Sequence, residues 1–470
     1  MPETPAATVW QEVCGHINAA AFGPVIGALE SGAVLERLLD APEGREVDAL
    51  AYETGTRSGL LHLAARLFEL EGLGCRSGNL ADCRTNWRLT QAGKKRVEGG
   101  VREALDRGEC SSRLAQAMAR IYRGRATSEL AKDNLATLVW SEELAVLGQA
   151  GWAERRDGLW RLNERGNTAL PMAAQFLYTD GYLPLLARAP ELILGQTPYD
   201  LGRDGEGEET HVDRETDIAF SGLVFRHTCK DAFLELALPL FSSPARPSAV
   251  VDTGAGDGEL LLVLAEALRQ NGLPPVTMIA VEFNEVARSV AAHRLAEAGA
   301  RHLAIRGDIG APDAIAEALS THGIDMADAC HVSKSVIHNR SVTGEAEAVR
   351  DPVFEASLAV HLDQQARPLT AARMAGDLVE HFRRWLPWTR RHGMITIEAH
   401  SVDPKLVARA AATPILSMEI THGLSLQHLV EPAFHRRAAA LAGFRSLAMR
   451  DLQTGHVGAP LMTCDHLLPI

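Results

Sequence analysis

The chain is predicted to be an α/β protein, a Rossmann-like, doubly wound parallel sheet preceded by a mostly helical region. Three observations carry that prediction. Residues 248–268, SAVVDTGAGDGELLLVLAEAL, pass from a short β-branched run (Ala249, Val250, Val251) through Gly254, Gly256 and Gly258 into apolar residues at helical spacing, the first half of a βαβ unit. Apolar runs at 278–281, 303–305, 329–332 and 394–399 then alternate with helical stretches at 286–298 and 314–322, the pattern of a parallel sheet covered on both faces. Before the turn, residues 9–40 and 60–73 repeat apolar side chains at intervals of three and four, so this part of the chain is expected to be helical.

At 470 residues the chain exceeds one ordinary domain. Three regions are expected: 1–105, 106–210 and 211–470. In the first, the run 86–92 (NWRLTQA) predicts a short strand and a polar turn into another helix. In the second, residues 130–170 repeat the theme, with a helix leading to Gly151 and a hairpin around Asp157-Gly158, a strong turn signal. The rings of Trp152 and Trp160 are expected in the core of that small unit. Both units resemble the winged-helix modules that precede the catalytic domain in many small-molecule methyltransferases. The resemblance implies dimerisation, hence a homodimer, or substrate capping, and it raises DNA binding as the other use of such a module. The acidic, glycine-rich stretch 199–210 reads as a linker.

The totals exclude several classes. A net charge of -13 with no basic recognition helix argues against a nucleic-acid partner. No run of about 18 apolar residues exists, so no membrane span is expected. The start, MPETPAATVW, shows no secretory signal, and the seven cysteines form no C-x-x-C pair, so reduced thiols in a cytoplasmic protein are expected.

The glycine turn carries the binding chemistry. Its order is D-x-G-x-G-x-G, unlike the G-x-G-x-x-G of dinucleotide sites, and Asp252 and Asp257 flank the place where a pyrophosphate would sit. That points to a ligand without phosphates. The second strand ends in Glu282, where a carboxylate can accept both hydroxyls of a ribose. The third is followed by Gly307 and Asp308, an acid placed to meet an adenine amino group. VDTGAGDG, VEFNE and GDIG together resemble the first three motifs of class I S-adenosylmethionine-dependent methyltransferases. The resemblance makes 211–470 the cofactor-binding domain and implies cofactor contacts from Asp252, Gly254, Gly256, Asp257, Gly258, Glu282, Phe283, Asn284, Asp308 and Ile309.

The chemistry is expected beyond the fourth and fifth strands. CHVSKSVIHNRS carries His331, His338 and Arg340; the strand 394–399 runs into His400; LSLQHLVE holds Gln427 and His428. His338, His400 and Gln427 fall at or beyond the ends of consecutive sheet elements, a grouping able to bind one divalent metal, although histidines at strand ends more often meet backbone or substrate. The segments H-V-x-x-x-x-x-H-N-R, I-x-I-E-A-H-S-V-x-P, S-L-Q-H-L-V-E-P and H-V-D-R are similar to those of metal-dependent α-keto acid C-methyltransferases (phenylpyruvate and 2-ketoarginine type) and of related polyketide-synthase methyltransferase domains. The resemblance implies a mononuclear Fe, Zn or Mn ion on His338 and His400, with Gln427 as third ligand. It departs at Ile337, where those relatives carry an acid.

Two enzymatic readings follow. In the first, the metal holds an α-keto acid or related acyl substrate of secondary metabolism and stabilises its enolate for C-methylation. The base is left open between His331, His428 and a metal-bound hydroxide, and Arg340 is either the carboxylate partner or a surface ion pair. In the second, His338 or His400 deprotonates a hydroxyl and the enzyme is a metal-independent O-methyltransferase. A third reading, from another class, is a regulator that binds a small molecule through a degenerate methyltransferase fold; the intact turn and Glu282 count against it. Residues 176–182 and an inserted segment at 341–361 are expected to cover the site, the latter as a lid.

Overall fold

A computed structural model describes residues 5–124, 139–201, 209–410, 412–455 and 457–470. The start of the second helical unit at 130–138 and residues 202–208 of the expected linker lie outside the described residues.

Seven strands form the main sheet: β1 (Ala249–Thr253), β2 (Thr277–Val281), β3 (His302–Ile305), β4 (Ala329–Lys334), β5 (Met394–Ala399), β6 (Phe444–Leu452) and β7 (Met462–Pro469). Their order is β6-β7-β5-β4-β1-β2-β3. The first five run parallel, and β7 pairs antiparallel with both β5 and β6. The order reverses between β1 and β4, and a crevice opens outside the carboxyl ends of the strands at such a point.

The apolar runs of the sequence become strands because both faces are covered. Successive residues of β1 serve opposite layers: Val250 packs with Phe225, Phe233 and Leu264, and Val251 with Phe382, Trp385 and Phe434. The chain then turns through Gly254, Gly256 and Gly258, all at positive φ, into the helix Glu259–Gln270. At Gly254 an added Cβ would lie 2.7 Å from the Val336 side chain, so the turn also needs a residue without one.

The region before the sheet is mainly helical. Pro5–Ser31, Arg102–Arg123 and Phe176–Ile193 pack on one another, beside a three-stranded antiparallel sheet of Arg45–Glu46, Gly74–Asn79 and Arg84–Leu89. The hairpin expected around Asp157-Gly158 joins Ala153–Arg156 to Leu159–Leu162, with both turn residues at positive φ. Trp152 is fully buried in the cluster beneath it and Trp160 packs against that cluster.

The two parts share a core. Leu60, Leu63 and Leu67 of the helix Ser58–Leu70 bury against Leu416, Ile420 and Leu424 of the helix Ile415–Leu424. Within that apolar contact lies Arg66, fully buried, with Nε and Nη2 on the Glu419 carboxylate (3.0 and 2.7 Å), Nη2 also on Ser401 Oγ and the Val402 carbonyl, and Nη1 on the Leu358 carbonyl. A cation so far from water persists only with its donors so paired.

Two expectations change here. Gln427 follows a helix, Ile415–Leu424, rather than a sheet element. Segment 341–361 is anchored rather than poised as a lid: Phe354 is buried with its ring 4.5 Å from that of Phe434, and the Glu431 carboxylate accepts from Ser357 Oγ (2.8 Å) and from Leu358 N–H (2.8 Å).

Candidate active site

A cavity of about 400 Å³ opens at the carboxyl ends of β1, β2, β4 and β5, under the helices Phe176–Ile193, Arg214–Val224 and Ile415–Leu424. One half is built by the turns after β1, β2 and β3. Gly254, Gly256, Glu282, Phe283, Asn284, Asp308 and Ile309 line it. Glu282 ties two of these turns together, accepting from the Gly256 N–H and the Asn284 N–H, each at 3.0 Å, and burial raises its pKa. Asp308 accepts the Gly310 N–H (2.7 Å), which fixes the turn after β3. The Arg214 of H-V-D-R enters the same half, held by Glu209 and Asp217, while Glu209 also accepts from Asn284 Nδ2 (2.8 Å). Lys334, the last residue of β4, donates to Ser221 Oγ (2.6 Å) beside it.

The other half lies beyond β4 and β5. His338 Nδ1 is 2.6 Å from Glu398 Oε2, so Nδ1–H donates to the carboxylate. Glu398 also accepts the Ile337 N–H (3.0 Å). Burial opposes ionisation of Glu398, but the His338 ring and these donors outweigh it and hold the carboxyl down at about 2. The acid missing at Ile337 is thus supplied from the neighbouring strand, and Ile337 itself is buried in the core. The His422 ring lies 5.1 Å from that of His338, and its Nδ1 is 2.8 Å from the Met418 carbonyl and 3.1 Å from Tyr178 Oη. Burial pushes His422 down to about 3. Gln427 donates to Tyr182 Oη and Ser425 Oγ, each at 3.0 Å. Tyr178, Tyr182, Phe220, Val224 and Met418 make the remaining wall largely apolar.

Several residues expected in the site stand outside the cavity wall. Asp252 lies under the glycine turn, where burial and the Glu282 charge raise it to about 8. Asp257 is turned away to pair with Arg294, and Gly258 packs against Ala291. His331 is buried with Nε2 on the Met326 carbonyl (2.9 Å) and its ring edge-on to Trp385; burial pushes it to about 4. His428 is buried, and its N–H donates to the His338 carbonyl (2.7 Å). Arg340 reaches the wall, but its guanidinium is engaged with Asp377 (2.7 Å), the Ile337 carbonyl and Met374 Sδ. It is a buried ion pair, neither at the surface nor free for a substrate carboxylate.

The expected metal ligands do not fit one ion. His400 has Nδ1 on the Val430 carbonyl (2.9 Å) and Nε2 on Thr463 Oγ1 (2.8 Å), so both ring nitrogens are committed away from the cavity that His338 and Gln427 line. Among the described residues no group of three His, Cys, Asp or Glu side chains is arranged to hold a metal. The nucleoside half does fit the expected cofactor: positive-φ glycines leave the backbone open, carboxylates stand at two strand ends, and the phosphate-free turn suits an uncharged ribose.

Sequence reasoning missed Glu398, although it lies in the IEAH motif, because the histidine two residues later is the usual ligand type there. It missed His422 and Lys334 as well, whereas Tyr178 and Tyr182, which line the cavity, fall in the segment 176–182 expected to cover the site. Glu398 had a signal, the one charged residue in the strand MITIEA.

A seven-stranded sheet of this order, with this turn and two acid-tipped strands, defines an S-adenosylmethionine-dependent methyltransferase. The AprA MT2-like domain matches residues 209–453, and the chain belongs to that family. Among curated proteins none matches. Solved structures with distant likeness include the mitomycin 7-O-methyltransferase MmcR (15% identity, 81% of this chain and 100% of that chain, TM-score 0.49). Others are CalO1, a methyltransferase in calicheamicin biosynthesis (16%, 80% and 99%, 0.40), and the DszA carbon methyltransferase (13%, 86% and 96%, 0.31). Among the described residues no helix is long and apolar enough to cross a membrane.

Proposed function

We propose that the enzyme methylates an oxygen of a small acceptor, with His338 as general base and Glu398 as the group that orients it. The observation that carries this reading is that His338, on the cavity wall, is paired with the buried Glu398 behind it. S-adenosylmethionine supplies an electrophilic methyl group on a sulfonium. Glu282 and Asp308 hold the ribose and adenine, and the Gly254–Gly256 backbone leaves room for the rest. Because Glu398 accepts from Nδ1–H, the lone pair of neutral His338 is at Nε2. Nε2 takes the proton of the acceptor hydroxyl as its oxygen bonds to the methyl carbon, and the carboxylate stabilises the imidazolium that results. Tyr178 and Tyr182, from the helical region, cap the acceptor.

Metal-assisted C-methylation of an α-keto acid is the less favoured reading, since His400 is committed elsewhere and Arg340 is already paired. The test is to incubate the enzyme with 13C-methyl S-adenosylmethionine and a panel of phenols, enols and α-keto acids, then read the methyl carbon shift of the product. An O–CH3 signal that survives chelator treatment supports O-transfer. A C–CH3 product, or activity lost to chelator and restored by a divalent ion, would refute it.

A further inference from the structure

Two imidazoles, not one, face the acceptor space. The Met418 carbonyl and the Glu398 carboxylate can only accept, so the hydrogens of His422 and His338 both reside on Nδ1. With both rings neutral, each Nε2 therefore carries the lone pair, and among the described residues no hydrogen bond reaches either one. The rings are 5 % and 8 % exposed, their planes are inclined at 59°, and both line the one cavity. A carboxylate or ketone would meet two lone pairs and gain nothing from them. A single hydroxyl would satisfy one and leave the other without a donor from the acceptor.

We propose that the acceptor carries two hydrogen-bond donors on adjacent atoms, a vicinal diol of catechol or enediol type, one received by His338 and one by His422. This rests on the oxygen-transfer reading above. The two rings differ in what stands behind them. His338 has a carboxylate to stabilise a positive ring, whereas His422 has a carbonyl and the Tyr178 oxygen, which sustain only the neutral form. The methyl group therefore goes to the hydroxyl on His338: its O–H bond breaks, the proton passes to Nε2, the O–CH3 bond forms and S-adenosylhomocysteine leaves. The hydroxyl on His422 keeps its proton and serves as the anchor. The product, one donor poorer, binds less well and is released monomethylated.

The test is calorimetric titration of the full chain, loaded with S-adenosylhomocysteine and pretreated with EDTA, using catechol, phenol and guaiacol as probes. Catechol is expected to bind at least about tenfold more tightly than either of the others. H422F is expected to erase that preference, and H422Q, which keeps an acceptor, to retain part of it. Equal affinities of the unaltered enzyme for catechol and phenol, or no binding of any probe, overturn the proposal without reference to a variant. So does a catechol preference that appears only after Zn(II) or Mn(II) is added, which would put a cation between the rings. A C-methylated product from a catechol-selective enzyme overturns the oxygen-transfer reading and leaves the donor pair standing; O-methylation with no catechol preference does the reverse.

Discussion

The two halves of the cavity are made of different materials. The nucleoside half is backbone and carboxylate: three glycines at positive φ, N–H groups pinned by Glu282, and a buried Asp252 and half-buried Glu282 whose pKa values burial has raised. The acceptor half is imidazole: His338 and His422 on the wall, with His400 and His435 behind, both pushed down by burial, to about 3 and about 4. The first is assembled from contiguous turns of one sheet. The second is assembled from strand ends, an inserted helix and a helix of the upstream region, which brings Tyr178 to within 3.1 Å of His422.

If the halves are separable in function, changes in one leave the other's ligand undisturbed. The largest effect is expected for His338→Ala, a loss of turnover on the order of 10³-fold with S-adenosylmethionine affinity unchanged in calorimetry. A matching loss of cofactor affinity would break the division. Next is acid stability. His435 is protonated at about 4 when folded and near 6.5 when unfolded, so its contribution is complete above pH 6.5 and disappears as pH falls towards 4. His435→Leu should remove about 3 kcal/mol of that pH dependence, seen as a flatter stability curve in urea melts between pH 6.5 and 4. Asp252 has the opposite sign. Its folded value of about 8 exceeds the unfolded 3.8, so its contribution is present below pH 3.8 and is lost as pH rises through 8; Asp252→Asn should therefore raise the melting temperature most at alkaline pH. Glu398→Gln should cost about 10²-fold in kcat, since an amide can hold His338 in the wrong tautomer, with KM for the cofactor unaltered. Glu282→Gln should act on the other side alone, weakening S-adenosylmethionine by about tenfold through loss of a charged acceptor at the ribose.

The same contrast explains what the sequence disclosed. A turn that needs Gly254, Gly256 and Gly258 in a row states its purpose in seven letters, and Glu282 follows at the next strand end because sheet geometry fixes where strand ends lie. The exceptions, Asp252 and Asp257, are acids that support the turn from beneath and behind. No such local rule governs the acceptor half. His400 and Glu398 are two residues apart, yet the chain leaves the sheet after Ala399 and the His400 N–H pairs with the Leu461 carbonyl, which aims its ring at Val430 and Thr463. His422 lies on a helix whose sequence, ILSMEITHGL, is apolar around most of its circumference and shows no face to a reader. Only packing against Leu60 and Leu63 decides which side of it meets the cavity.

The buried bond between Arg66 and Glu419 has a consequence for anyone hoping to trim this protein to a minimal transferase. Glu419 shares its helix with His422, so excising the upstream region would strand a carboxylate inside apolar surroundings, a penalty of about 3 to 5 kcal/mol. The segment most tempting to discard is therefore the one that keeps half of the reaction chamber in shape, and chimeras that exchange it must carry the arginine along.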